Sequence, residues 1–422
     1  MTANHTHSSL KNGQDILEGG DERMQTKSKL WTKDFIVLSL VNFFLTLIFF
    51  LLNATIALYA VNEFNASTSQ AGLVAGIFII GALIGRLFTS PIMNKIGQKR
   101  ILNIGLIFFI LTTLLYFIDN GIFFLLISRF LNGITVGIAT TVIGTIVALT
   151  IPETRRGEGI GYFAVSTALG TGIGPFIGLY MSQHMSFNMI FALCLLLGIL
   201  SSVTAFFVKV PIFKTTVVKN ENSGFKLSNF IEPKSLPISI IILMMTFIFS
   251  SVISYINLYA VELNLVEAAS FFFMVYTVAV LVSRPFTGRM MDKIGANFIM
   301  YPAIILFGVG MLILSSANNS VTLLLAGALI GLGFGNISSV SQTIAVNSAS
   351  PHRMGLATAT FFIFFDLGNG FGPTILGFVI PITGYNGMYA ILGIIVFATS
   401  VPYYFLHGKK EREDQLRIGK SN

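Results

Sequence analysis

Charge is scarce in this sequence. Lys, Arg, Asp and Glu together make 10% of the 422 residues, against about 25% in a soluble domain. So few charges exclude an ordinary water-soluble globule, and a mean hydropathy of +0.80 makes lipid the solvent. Cysteine is almost absent. The one residue, Cys194, sits in an apolar run, which excludes a disulfide framework and a Cys-rich metal site. It reads as a small buried hydrophobe. No histidine falls in the middle of a membrane-length apolar run: His5 and His7 lie in a polar start, and His184, His352 and His407 at the ends of runs. No Gly-x-x-x-x-Gly-Lys-(Ser/Thr) loop is written, so ATP drive is not expected. No Ser/His/Asp set and no metal-ligand cluster stands out. The chain does not read as an enzyme, and no cofactor and no metal are expected.

What the sequence has instead is long apolar runs. About 20 apolar residues cross a bilayer core, and twelve such spans are readable: 35–60, 70–92, 101–118, 121–149, 159–182, 187–208, 236–260, 268–290, 298–317, 321–346, 357–382 and 386–407. They fall into a six-helix bundle over 35–208 and another over 236–407. A charged linker, 209–235, separates them. A polar tail of disordered composition, 1–34, precedes them, and a charged tail, 408–422, follows. Lys and Arg concentrate in cytoplasmic loops. With both termini and the linker inside, every Lys and Arg falls on the cytoplasmic side except Arg86, Arg129 and Arg284, which lie within spans. The outer connections carry Glu63, Asp119, Glu262 and Glu267. The net charge of +8 is thereby accounted for by topology, and no nucleic-acid partner is expected. The expected location is the cell membrane, multi-pass, with both termini cytoplasmic.

The chain repeats itself. "GRLFTSPIMNKIG" at 85–97 returns as "SRPFTGRMMDKIG" at 283–295, and "LYAV" at 58–61 returns at 258–261. "GTGIGPFIG" at 170–178 returns as "GNGFGPTILG" at 368–377, and Gly133 and Gly137 answer to Gly331 and Gly335. Two parallel copies of one six-helix unit are a transporter architecture, with substrate held between the halves near the midplane.

These residues resemble the major facilitator superfamily over about 34–407. The loop signature Gly-x-x-x-Asp-(Arg/Lys)-x-Gly-(Arg/Lys)-(Arg/Lys) is met in the second half by Gly288, Asp292, Lys293 and Gly295. The first half departs from it: Ser90 and Asn94 replace the Gly and Asp, while Lys95, Gly97, Lys99 and Arg100 remain. "RFLNGITVG" in the fourth span resembles the family's Arg-x-x-x-Gly-x-x-x-Gly. Gly170, Gly174, Pro175 and Gly178 in the fifth resemble the signature of the bacterial twelve-helix drug:proton antiporters, although Leu179 stands where a Gly is usual. The resemblance implies an all-α membrane protein of twelve transmembrane helices in two pseudo-symmetric bundles, working as a monomer. It implies proton-coupled export of a small molecule, such as a drug or an endogenous metabolite or metallophore, by alternating access. A nutrient facilitator or symport importer is the alternative, and a non-transporting membrane sensor a second.

Each charge within a span needs a reason, because it costs about 3 kcal/mol at the bilayer centre. Arg86 and Arg284 are symmetry mates, as shared scaffold or gate would be. Arg129 and Asp366 break the symmetry, facing Gly327 and Ala168 in the repeat. Asp366 is the one acid in the middle of a span. Two readings stand: a local ion pair closing the eleventh span onto the bundle, or the group that carries the proton. Arg129 has three candidate partners: a carboxylate, an anionic substrate or a helix carbonyl. Both are taken as candidate proton-coupling residues. Asn53, Asn132, Tyr255, Asn257, Asn336, Gln342 and Asn369 are the polar candidates for lining a substrate cavity.

Overall fold

The computed structural model describes residues 30–210 and 230–413. Most of the two tails and of the linker, Lys219 included, lies outside the described residues. The described residues are helices joined by short connections, with no strand among them. In chain order the helices are α1 (Lys33–Phe64), α2 (Thr68–Ile96), α3 (Gln98–Leu114), α4 (Gly121–Thr150), α5 (Arg156–His184) and α6 (Phe187–Phe206), then α7 (Leu236–Glu262), α8 (Val266–Ile294), α9 (Asn297–Ser315) and α10 (Ser320–Asn347). The stretch Met354–Ala398 is two helices joined at Gly384, whose φ of 67° and ψ of 174° leave the helical region. We number them α11 (354–383) and α12 (385–398). The ten helices α1 to α10, α3 together with the turn that ends it at Phe117, are each long and apolar enough to cross a membrane. The run Pro351–Glu413 that holds α11 and α12 is so as a whole, and α12 continues through helical turns to Gly408.

Each half repeats one set of packings: α2 with α4 and α1 with α5 in the first, α8 with α10 and α7 with α11 in the second. Apolar surface gives no net drive for association in lipid, so small residues that let backbones approach decide where helices touch. A Cβ on Gly133 or Gly137 of α4 would overlap the carbonyl oxygens of Phe78 or Ala82 on α2, and one on Gly81 or Gly85 would overlap α4 in return. The repeated glycines therefore mark backbone contact between α2 and α4. Each half keeps its own apolar core, one around Ile48, Phe109 and Phe191 and the other around Ile248, Phe272 and Phe307. The outer surface is apolar too: Phe123, Val321, Phe378 and Ile382 are each at least 74% exposed, a surface that only lipid solvates at low cost.

The even-numbered helices of each half end on one face, which also carries the two basic loops. We call it the loop face. There Gly97 (φ 95°) and Gly295 (φ 112°) turn the chain between α2 and α3 and between α8 and α9, in conformations that only glycine adopts without strain.

Candidate functional site: a cavity between the halves with one ion pair across it

A cavity of about 520 Å³ lies between the two bundles. Both halves line it, through α1, α2, α4 and α5 on one side and α7, α8, α10 and α11 on the other. From the side opposite the loop face its wall starts at Gly72, Gly76, Ser254 and Thr374. It reaches down to Arg86, Thr140, Arg284 and Gln342. Most of the wall is apolar and aromatic, with Phe49, Phe163, Phe249, Phe334, Phe362 and Phe365 among its residues. Three charged side chains line it: Arg86, Arg284 and Asp366.

Asp366 of α11 pairs with Arg86 of α2, Oδ2 to Nε, at 2.7 Å. The bond crosses from one half to the other. Arg86 also donates to Thr140 Oγ1 (3.0 Å) and Thr141 Oγ1 (3.3 Å) of α4, and its guanidinium lies over the Phe362 ring at 4.6 Å. The arginine is thus fixed to its own half by two hydroxyls, and the carboxylate comes to it. Arg86 enters the site as the acid's partner, although symmetry groups it with Arg284. The two threonines had no signal in the sequence beyond lying one helix turn past Gly137.

Arg129 and Asp366 do not meet. Arg129 is fully buried within the first half, where its Nε donates to the Val74 carbonyl (3.3 Å) and its guanidinium stacks on Phe78 at 4.7 Å. Of its three candidate partners, the helix carbonyl is the one observed. Arg129 does not line the cavity.

Arg284 lies in α8 at the mirror position of Arg86. It donates to Ser339 Oγ and to the Gly335 carbonyl (2.8 Å) of α10 and approaches Asn336 Oδ1 at 3.5 Å. No carboxylate reaches it among the described residues, and its Nε meets no acceptor there.

The polar candidates divide by position. Asn53, Tyr255, Gln342 and Asn369 line the cavity. The Tyr255 hydroxyl donates to the Pro373 carbonyl, and Asn369 Oδ1 is buried without a partner. Three others do not line it. Asn132 donates to Thr112 and Thr113 of α3, Asn336 is tied to Ser283, Thr287 and its own helix, and Asn257 is exposed on α7. A polar residue in a span reads the same whether it faces a cavity or a neighbouring helix. Gly170, Gly174 and Gly178 pack on α1: a Cβ at each would stand 2.8 Å from Thr46, Phe50 or Leu51 atoms. Pro175 sits in the middle of that contact. In this structure the run is a helix-packing surface.

At the loop face the halves are closed on each other. Asp292 at the end of α8 accepts from the Gly157 N–H (2.6 Å, Oδ1) and the Glu158 N–H (2.8 Å, Oδ2), two amides in the first turn of α5. A carboxylate there is favoured by hydrogen bonding and by the helix dipole together. Gly288, one turn earlier, allows the approach, since a Cβ there would lie 2.7 Å from the Glu158 Cα. Glu158 is 4% exposed and holds Arg155 (2.7 Å) and, across the halves, Arg289 (2.9 Å). Arg156 adds a bond to Asn347 at 2.7 Å. The sequence reading missed Glu158. Its local signal was an acid in a first helical turn, and its partner lies 131 residues away.

In the first half, Asn94 holds the position equivalent to Asp292, but its side chain lies outside the described residues. Lys99 serves its own half, where Nζ donates to the carbonyls of Ala205 (2.6 Å), Phe206 (2.8 Å) and Val208 (2.6 Å) at the end of α6. Lys95, Arg100 and Lys293 are exposed on the loop face.

A helical shell made of two like halves, with a central cavity closed at one face, defines a membrane transporter class. The chain belongs to the Major Facilitator Superfamily, whose model matches residues 38–302 and 266–420. It is 28% identical over 350 residues to an uncharacterised transporter of that type from Methanocaldococcus jannaschii, covering 81% of this chain and 90% of the other. It is 22% identical to the staphylopine export protein of Staphylococcus aureus, over 85% of this chain and 93% of that one. Among solved structures, the superfamily transporter FucP, in its outward conformation, superposes with a TM-score of 0.71 at 16% identity, covering 90% of this chain and 99% of that one.

Proposed function

We propose that the protein is a proton-coupled secondary transporter of the cell membrane that exports a small organic molecule by alternating access. The observation that carries this reading is the Arg86–Asp366 pair. It is the one place in the cavity where a proton can be taken up, and it bridges the halves. Protonating Asp366 removes the charge that pairs α11 with α2, so a proton weakens one of the contacts between the halves. A single chain contributes both walls of the cavity, which supports a working monomer.

The distribution of Lys and Arg supports placing the loop face, both termini and the linker in the cytoplasm. The structure is then outward-facing. An impermeant thiol reagent applied to whole cells is expected to spare a cysteine placed at Lys219, and rapid labelling from outside would overturn this topology.

The export direction draws support from the staphylopine export relative and from the fifth-span likeness to drug:proton antiporters. Compounds to which a deletion strain becomes sensitive are the substrates to try. In everted vesicles holding an acid interior, such a compound is expected to release protons as it is taken up. Uptake that moves no proton would leave a facilitator. Protons travelling with the compound would leave a symporter.

A further inference from the structure

The two halves treat their matching arginines differently. Arg86 and Arg284 are separated by the repeat of 198 residues, and so are Asp366 and Ala168. The surrounding contacts obey the repeat. A Cβ on Gly370 of α11 would meet Ile79 of α2 at 2.9 Å, and one on Gly172 of α5 would meet Thr277 of α8 at its hydroxyl. These contacts are mates under the same offset. The α5–α8 seam therefore shares this register with the α2–α11 seam, although it packs more closely along its length, and by the repeat Ala168 holds the position of Asp366.

Arg284 thus faces a seat without its acid. Ala168 and Arg284 both line the cavity. Arg284 is 3% exposed; its guanidinium turns to hydroxyl and carbonyl oxygens of α10 and leaves the Nε–H without a partner. Neutral acceptors leave a buried guanidinium's charge uncompensated, whereas a carboxylate matches both its charge and its forked donors. With two arginines against one aspartate and no other charged lining residue, the cavity carries an unmatched positive charge beside an aromatic wall.

We propose that the transported molecule is an amphipathic organic anion whose carboxylate docks at Arg284 beside Ala168, supplying the acid that the repeat omits, with its apolar body against the phenylalanines. The inference rests on the transporter reading above. Anion docking and proton loading use different side chains, Arg284 and Asp366, so the two fail separately.

The test uses the full chain in nanodiscs and three naphthalene probes that differ by at most one heavy atom: 1-naphthoate, 1-naphthylmethylammonium and 1-naphthylmethanol. Wild type is expected to bind naphthoate about tenfold or more tighter than either other probe, as one charge-assisted contact provides. Arg284→Gln is expected to remove that preference. Ala168→Asp is expected to remove it as well, by placing an internal carboxylate in the seat. Equal binding of the three probes by wild type, or binding of none, overturns the proposal. So does a naphthoate preference that survives in both variants. The proton-coupling reading is tested apart from this, on wild type: naphthoate-selective binding that Arg284→Gln removes, together with transport that moves no proton, leaves the anion site standing and the proton-coupling reading fallen.

Discussion

Asp366→Asn is expected to bring the ratio of accumulated to free substrate down to about one, while counterflow exchange across the same membrane continues. The amide keeps the shape of the side chain and one acceptor for the Arg86 Nε, but it can no longer lose and regain a proton. Counterflow needs only a cavity that opens to both sides. The change should also lower stability, because Arg86 keeps Thr140, Thr141 and the Phe362 ring but loses its counter-charge. Removing one partner from a sealed buried pair costs about 3–5 kcal/mol, and a side chain 17% exposed at Asp366 places this pair below that range. Replacing both partners, Arg86→Gln with Asp366→Asn, should recover the melting temperature without recovering accumulation. The decisive measurement is transport against a gradient in proteoliposomes. A single mutant that concentrates substrate at the wild-type rate would leave the pair as a structural tie between α2 and α11.

Asp292→Asn is expected to shift the molecule toward the state open at the loop face. The carboxylate accepts from two backbone amides at the start of α5. The neutral amide keeps one acceptor and loses the favourable interaction with the helix N-terminus. Hydrogen bonds to a charged group contribute about 1.5–3 kcal/mol, so the closed population should fall by roughly tenfold to a hundredfold relative to the open one. Transport should fall with it, since a carrier that rests open to one side samples the other less often. Asn94→Ala, at the repeat-equivalent position, begins without a charge and should cost less. The accessibility of a cysteine introduced at the α5–α8 seam, compared between the two mutants at equal expression, reads the shift directly. Equal effects, or a larger effect from Asn94→Ala, would remove the unequal contribution of the two loops.

The lipid-solvated class, the helices and their two-fold repeat were legible in the sequence, because each depends on composition and on spacing along one chain. A bilayer forces backbone groups to bond within a segment, so an apolar run of sufficient length becomes a helix wherever its neighbours lie. The glycines of α2 and α4 follow the same rule, since close approach needs a missing side chain on both partners. The repeat also separated the charges, marking Asp366 as an acid with no mate at Ala168 before any contact was known.

Only the tertiary structure decided which side chains meet. Asp366 found Arg86, 280 residues away, and Arg129 turned to the Val74 carbonyl within its own half. Asn53 and Asn369 came to line the cavity while Asn132 and Asn336 went to neighbouring helices. The physical reason is rotational. Apolar residues surround all of these helices, so the pattern of hydrophobicity does not say which direction a polar residue faces. That direction is set by how the helices pack, and the packing of one half on the other is a property of the whole chain. The acid missing opposite Arg284 shows both contributions: the repeat names Ala168 as the vacant seat, and the fold places that seat in the cavity.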